Sequence, residues 1–132
     1  LPKDLITQID ALNVHGSLLP MYRGGAPIQY ALFDGLKETG ITIMYMAYQM
    51  DSGDIIKQEK VEISDTDNYE TLSHKLSFKG QEMIIDVLDD LTANKINRTP
   101  QEQEKVTFAY TLKRNDEFLK VFKKFNFRFQ NA

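Results

Sequence analysis

At 132 residues, with 42% hydrophobic and 27% charged side chains and a formal charge of -3, the chain has the length of one domain with a modest core. The absence of cysteine excludes a disulfide framework and a thiolate metal site, and fits a reducing compartment. No apolar run approaches the roughly 18 residues that a membrane-spanning helix needs, and no basic stretch followed by an apolar one opens the chain, so the sequence reads as soluble and intracellular.

In chain order, Asp4 to Ile9 reads as a short helix or turn after Pro2. Ala11 to His15 reads as a buried strand. Residues i and i+2 of an extended segment share a face, so Asn13 and His15 present an amide donor and an imidazole side by side at its end. Gly16 to Gly25 is loop by its Gly and Pro content, with Ser17, Pro20 and Gly24 bending the backbone. A short helix follows from Pro27, with Ile28, Ala31 and Leu32 on one face and Gly35 as its stop. Ile41 to Met46 is rich in β-branched and large apolar residues and reads as a strand. Asp51-Ser52-Gly53-Asp54 is turn chemistry, and Ile55 to Ile63 follows as a further strand or hairpin partner, the antiparallel pairing suiting a sheet edge. From Thr66 a long helix is predicted, because Tyr69, Leu72, Leu76, Met83, Val87, Leu88 and Leu91 recur at intervals of three, four or seven. Thr66 or Asp67 is the expected cap, and Gly80 falls on the apolar stripe where a neighbour comes close. Thr92 to Gln103 is polar and loop-like around Pro100.

Several stretches, taken together and in order, carry a resemblance. They are Leu1-Pro2-Lys3; Asn13-Val14-His15-Gly16-Ser17-Leu18-Leu19-Pro20-Met21-Tyr22-Arg23-Gly24-Gly25-Ala26-Pro27-Ile28-Gln29; Thr39-Gly40-Ile41-Thr42-Ile43-Met44; Asp51-Ser52-Gly53-Asp54-Ile55; and Val106-Thr107-Phe108-Ala109-Tyr110. On these the chain resembles the folate-dependent formyltransferases over residues 1–117. Tyr22 to Gln29 favours the branch that formylates initiator methionyl-tRNA over relatives that act on other amines.

The resemblance implies an α/β fold: the second half of a Rossmann-like formyltransferase catalytic domain, a mixed sheet with flanking helices. By the same resemblance Leu1 falls about halfway through that domain, with the first strands and part of the folate pocket expected ahead of it and a second, barrel-like domain behind. The implied formyl donor is 10-formyltetrahydrofolate, the acceptor is initiator Met-tRNA, and the setting is the bacterial cytoplasm, with a monomer for the full-length enzyme. A fragment on its own invites self-association through its open sheet edge.

Formyl transfer needs a donor for the oxyanion and a carrier for the amine proton. The resemblance gives these roles to Asn13, His15 and Asp51: the amide of Asn13 and the imidazole of His15 facing the oxyanion, and Asp51 pairing with the histidine and helping to remove the proton. An imidazole moves protons near neutral pH, and a carboxylate beside it fixes its orientation. Ser17, Leu18, Leu19, Pro20, Arg23 and Gly24 bind substrate or shape the site. Arg23 has two readings, a bidentate contact to substrate or a tie between the loop and a carboxylate. Taken singly, Asn13 and Asp51 read as turn residues and His15 as a structural histidine; the joint pattern gives them their chemistry. His74, in the long helix, reads as a surface residue. No metal is expected, because two distant histidines and scattered carboxylates make no ligand spacing.

A hypothesis of another class is an inactive remnant of such an enzyme. The resemblance ends near Lys113-Arg114-Asn115-Asp116-Glu117. Residues 118–132 carry four basic and no acidic side chains and five of the eight phenylalanines. This divergent tail reads as an out-of-frame continuation, or alternatively as an element that contacts RNA through cations and stacked rings.

Overall fold

A computed structural model describes residues 2–8 and 10–113, so the basic, Phe-rich segment 118–132 and the Arg114 to Glu117 run lie outside the described residues. The elements run α1 (Lys3–Gln8), β1 (Leu12–His15), α2 (Pro27–Phe33), β2 (Glu38–Tyr45), β3 (Ile55–Glu62), α3 (Tyr69–Thr92) and a 3-10 turn at Gln103–Lys105. The three strands form one sheet in the order β1-β2-β3, antiparallel at both pairings. Parallel pairing occurs among the described residues as an isolated bridge between Arg23 and Phe108.

The register explains how the sheet divides its labour. His15 pairs with Thr42 and Thr42 with Gln58, so these three side chains form a row on one face. Val14 pairs with Ile43 and Ile43 with Lys57 on the other face, and the Lys57 ammonium reaches Asp86 of α3 at 3.1 Å. β2 is buried along its length after Glu38 because both faces are covered, one by α3 and the other by the loop that follows β1.

α3 covers its face with Leu72, Leu76, Gly80, Met83 and Val87, which recur every three or four residues and are buried against Ile41, Ile43, Val61 and Ile63. Each large side chain in that stripe contributes on the order of 1.5–3 kcal/mol by leaving water. Tyr69, Leu88 and Leu91, expected in the same stripe, are exposed instead: Tyr69 and Leu91 lie at the two ends of the helix, and Leu88 turns off the stripe. Gly80 permits the close approach anticipated for it: a Cβ there would stand 3.3 Å from Val14 Cγ1.

The helix start also differs from expectation. Asn68 is the cap, its side chain accepting from Thr71 N while Thr71 Oγ1 accepts from Asn68 N. Asp67 braces the turn before it, accepting from Ser64 N at 2.8 Å, from Thr71 Oγ1 at 2.8 Å and from the Lys75 ammonium. The hydrogen bond from Lys75, followed by that from Ser64 N, holds the Asp67 carboxyl well below the usual carboxylate range. β1 is shorter than expected and only half-buried, with Val14 42% exposed, so it is a sheet edge among the described residues. No helix of the described residues is long and apolar enough to cross a membrane.

Candidate active site

The loop after β1 is fastened to the sheet by one threonine. Thr42 Oγ1 accepts from Leu19 N (3.0 Å) and Gln58 Nε2 (2.9 Å) and donates to Ser17 O (2.7 Å), which fills the capacity of a hydroxyl. Gln58 Nε2 also donates to Leu19 O at 2.7 Å. Ser17 Oγ, fully buried, donates to Met21 O at 2.6 Å. Leu18 lies over Gly40, where any Cβ would stand 2.3 Å from Leu18 Cδ2. The Leu19-Pro20 peptide is cis, and Pro20 O accepts from Thr107 N at 3.2 Å. Ser17 to Pro20 therefore build the floor and bend of the loop.

The bend delivers Tyr22 O to His15. His15 is 6% exposed, and its Nε2 lies 2.8 Å from that carbonyl, which can only accept, so Nε2 carries the hydrogen. Nδ1 then faces Asp51 Oδ2 at 3.7 Å. The same Asp51 oxygen accepts from Gly24 N at 2.7 Å. Asn13, on the same face of β1 as His15, lines a cleft of about 250 Å³ with Asp51, Met44, Met46, Ala47, Tyr48 and Met50. Asn13, Asp51 and the Tyr48 hydroxyl are thus the polar side-chain groups at this cleft, and His15, outside its lining, lies against Asp51.

Arg23 makes a contact that neither reading named. Its buried guanidinium turns inward, and Nε and Nη2 both donate to Gln101 Oε1, at 3.0 and 2.8 Å. Burial lowers the proton affinity of this guanidinium, and the charge of Asp51 opposes that effect. Gln101 Nε2 donates to the carbonyls of Asp51 and Gly53, each at 2.8 Å. An extended segment closes the arrangement: Arg23 N donates to Thr107 O (2.9 Å), Ala109 N to Arg23 O (2.7 Å) and Ala26 N to Ala109 O (3.0 Å). Among the described residues no group of three or more His, Asp or Glu side chains comes together to hold a metal ion.

Residues 1–88 match the family model described as formyl transferase. The chain belongs to the formyl transferase family. A methionyl-tRNA formyltransferase of Listeria monocytogenes serovar 1/2a is 56% identical over 107 residues, 81% of this chain and 34% of the relative. One from Latilactobacillus sakei is 48% identical over 123 residues, 92% of this chain and 39% of the relative. The chain thus spans about a third of the length of the curated relatives it matches. Among solved structures, a 4-N formyltransferase from Francisella tularensis superposes with a TM-score of 0.76 at 25% identity, covering 93% of this chain and 55% of that one. The formyltransferase PseJ from Anoxybacillus kamchatkensis, solved with a formamido sugar nucleotide and tetrahydrofolate, gives a TM-score of 0.78 at 23% identity, over 92% and 63% of the two chains.

In this formyl transferase chain the sequence reading overlooked Thr42, Gln58, Gln101 and Thr107. Thr42 stood inside a matched stretch but was read only as a strand former. Gln101 had no pattern to reveal it, since a glutamine in a polar loop is ordinary and its partners lie 50 and 78 residues away.

Proposed function

We propose that this chain carries the reacting groups of an enzyme that transfers a formyl group from 10-formyltetrahydrofolate to the amino group of initiator Met-tRNA, in the bacterial cytoplasm. The observation that carries the proposal is the shared cleft: Asn13 and Asp51 line it together, and His15 lies against Asp51. Support for the acceptor comes from the methionyl-tRNA formyltransferases at 48–56% identity. Support for a folate donor comes from family structures solved with tetrahydrofolate and folinic acid. The cleft suits the formyl-bearing end of such a donor, having three methionines and the Tyr48 ring as walls and an amide, a carboxylate and the Tyr48 hydroxyl as its polar groups.

The donor supplies an activated formyl carbon. Asn13 gives an amide N–H to the oxygen on which negative charge develops. As the amine bonds to the formyl carbon, Asp51 receives the proton that the amine loses. Collapse of the intermediate breaks the carbon–nitrogen bond to the donor, whose departing nitrogen takes up a proton to leave tetrahydrofolate. His15, with its hydrogen already committed to Tyr22 O, keeps Nδ1 toward the Asp51 carboxylate. Arg23, Gly24 and the Ser17 to Pro20 bend hold these groups and take no part in the proton transfer.

The test is formyl transfer to initiator Met-tRNA by this chain, and by a chimera in which it replaces the matching third of the Listeria monocytogenes relative. The chimera is expected to transfer, and Asn13→Ala to lower its rate by about 100-fold or more. A parental rate in Asn13→Ala refutes the assignment. Formylation of nucleotide-linked amino sugars in place of Met-tRNA would keep the chemistry and replace the acceptor.

A further inference from the structure

We infer that Gln101 is a positioning residue, whose side-chain amide fixes the Asp51 turn to the Arg23 loop and thereby holds the Asp51 carboxylate against His15. The inference rests on the role proposed above for Asp51. Gln101 is 7% exposed and enters the site from the polar stretch after α3. An amide offers two donors and two acceptor lone pairs, and here two bonds arrive from Arg23 and two leave for the carbonyls of Asp51 and Gly53. No other uncharged side chain of this length supplies both sets.

Asp51 needs the support. Its backbone has φ of 54°, a left-handed conformation that costs a non-glycine residue on the order of 1 kcal/mol or more and persists where its surroundings fix it. The carboxylate is pinned by Gly24 N, one residue from Arg23, and the carbonyl is pinned by Gln101. Gln101 therefore grips Asp51 itself and Arg23, the chain neighbour of Gly24, on the two sides of the Gly24–Asp51 hydrogen bond. Without it the Asp51 turn is free to relax toward an ordinary conformation and carry the carboxylate away from His15 Nδ1.

Two variants separate the parts of this grip. Gln101→Glu still accepts from Arg23 but donates nothing and sets a carboxylate oxygen against two carbonyls; Gln101→Met loses every bond. In the chimera both are expected to lower kcat roughly 10- to 100-fold, as a displacement of about 1 Å does, with KM for donor and acceptor within about threefold of the parent. The loss should vanish in an Asp51→Asn background, since residues that act through one another are not additive.

A second readout uses this chain without activity. Exchange of the Gly24 amide hydrogen should accelerate at least about tenfold in Gln101→Glu, while the Leu76 and Met83 amides of α3 keep their protection. Parental kcat and parental Gly24 exchange in Gln101→Glu overturn the inference. So does acceleration that extends into α3, which marks a residue needed for the fold alone. Should Gln101→Met fail to fold, Gln101→Glu carries the test, because it keeps Arg23 paired. Parental kcat in Asp51→Asn alone instead removes the proposed role of Asp51, a result distinct from failure at Gln101.

Discussion

Gly24 and Gly53 hold the turn geometry on which Asp51 depends, each for its own reason. Gly24 has φ of 119°, and a Cβ there would stand 2.6 Å from Ala109 O. Gly53 faces a harder wall, with Tyr45 O 1.6 Å from where its Cβ would be. Neither obstacle is a flexible side chain, so the backbone itself must yield. Gly24→Ala and Gly53→Ala are each expected to lower stability by about 1–3 kcal/mol, read from the denaturant midpoint; an unchanged midpoint in either variant contradicts the geometry. At this scale attention fell on His15 and Asp51, which the structure sets 3.7 Å apart, because both stand in stretches that together carry the family resemblance. It was silent on Gln101, since hydrogen bonds between segments far apart leave no periodicity behind. The bidentate fork of Arg23 was legible as a capability, whereas its target was not.

Among the elements, α3 was the most legible, because a stripe spaced by three and four residues is a property of the helix itself. Its start was misjudged by one or two positions: Thr66, Asp67 and Asn68 are all able caps, and only the fold decides which backbone N–H groups they meet. Asn68→Ala should cost about 1 kcal/mol, measurable by chemical denaturation. Asp67 makes a pH-dependent contribution of defined sign. Its folded-state affinity for a proton is lowered, chiefly by Lys75, so the stabilisation is present above roughly pH 4 and is lost as pH falls through the folded-state value. Asp67→Asn should flatten this acid limb, seen as a smaller shift of the urea midpoint between about pH 5 and pH 2. If the variant and the parent lose stability in parallel, another carboxylate governs the limb. The division of the sheet into two faces was less legible, because β2 after Glu38 is apolar or hydroxylated and its alternation appears only once the partners of Thr42 and Ile43 are known.

For the molecule as a whole, the segment from Gln101 to Thr111 acts as a strap across the site loop, contributing the Gln101 clamp and the backbone bonds of Thr107 and Ala109. Arg23 is 5% exposed beneath it. Trypsin is therefore expected to spare the bond after Arg23 in the intact chain and to cut it once residues 101–132 are removed, with helical content kept by α3. Resistance at Arg23 in the shortened chain would show that the loop stands without the strap. The strap also sets an order of assembly. Asn13, His15 and Asp51 leave the ribosome ahead of Gln101, which emerges 50 residues after Asp51 and 78 after Arg23. On the roles proposed above, a nascent chain carries these three side chains well before it carries the clamp on the Asp51 turn, so their alignment waits until translation has passed the strap.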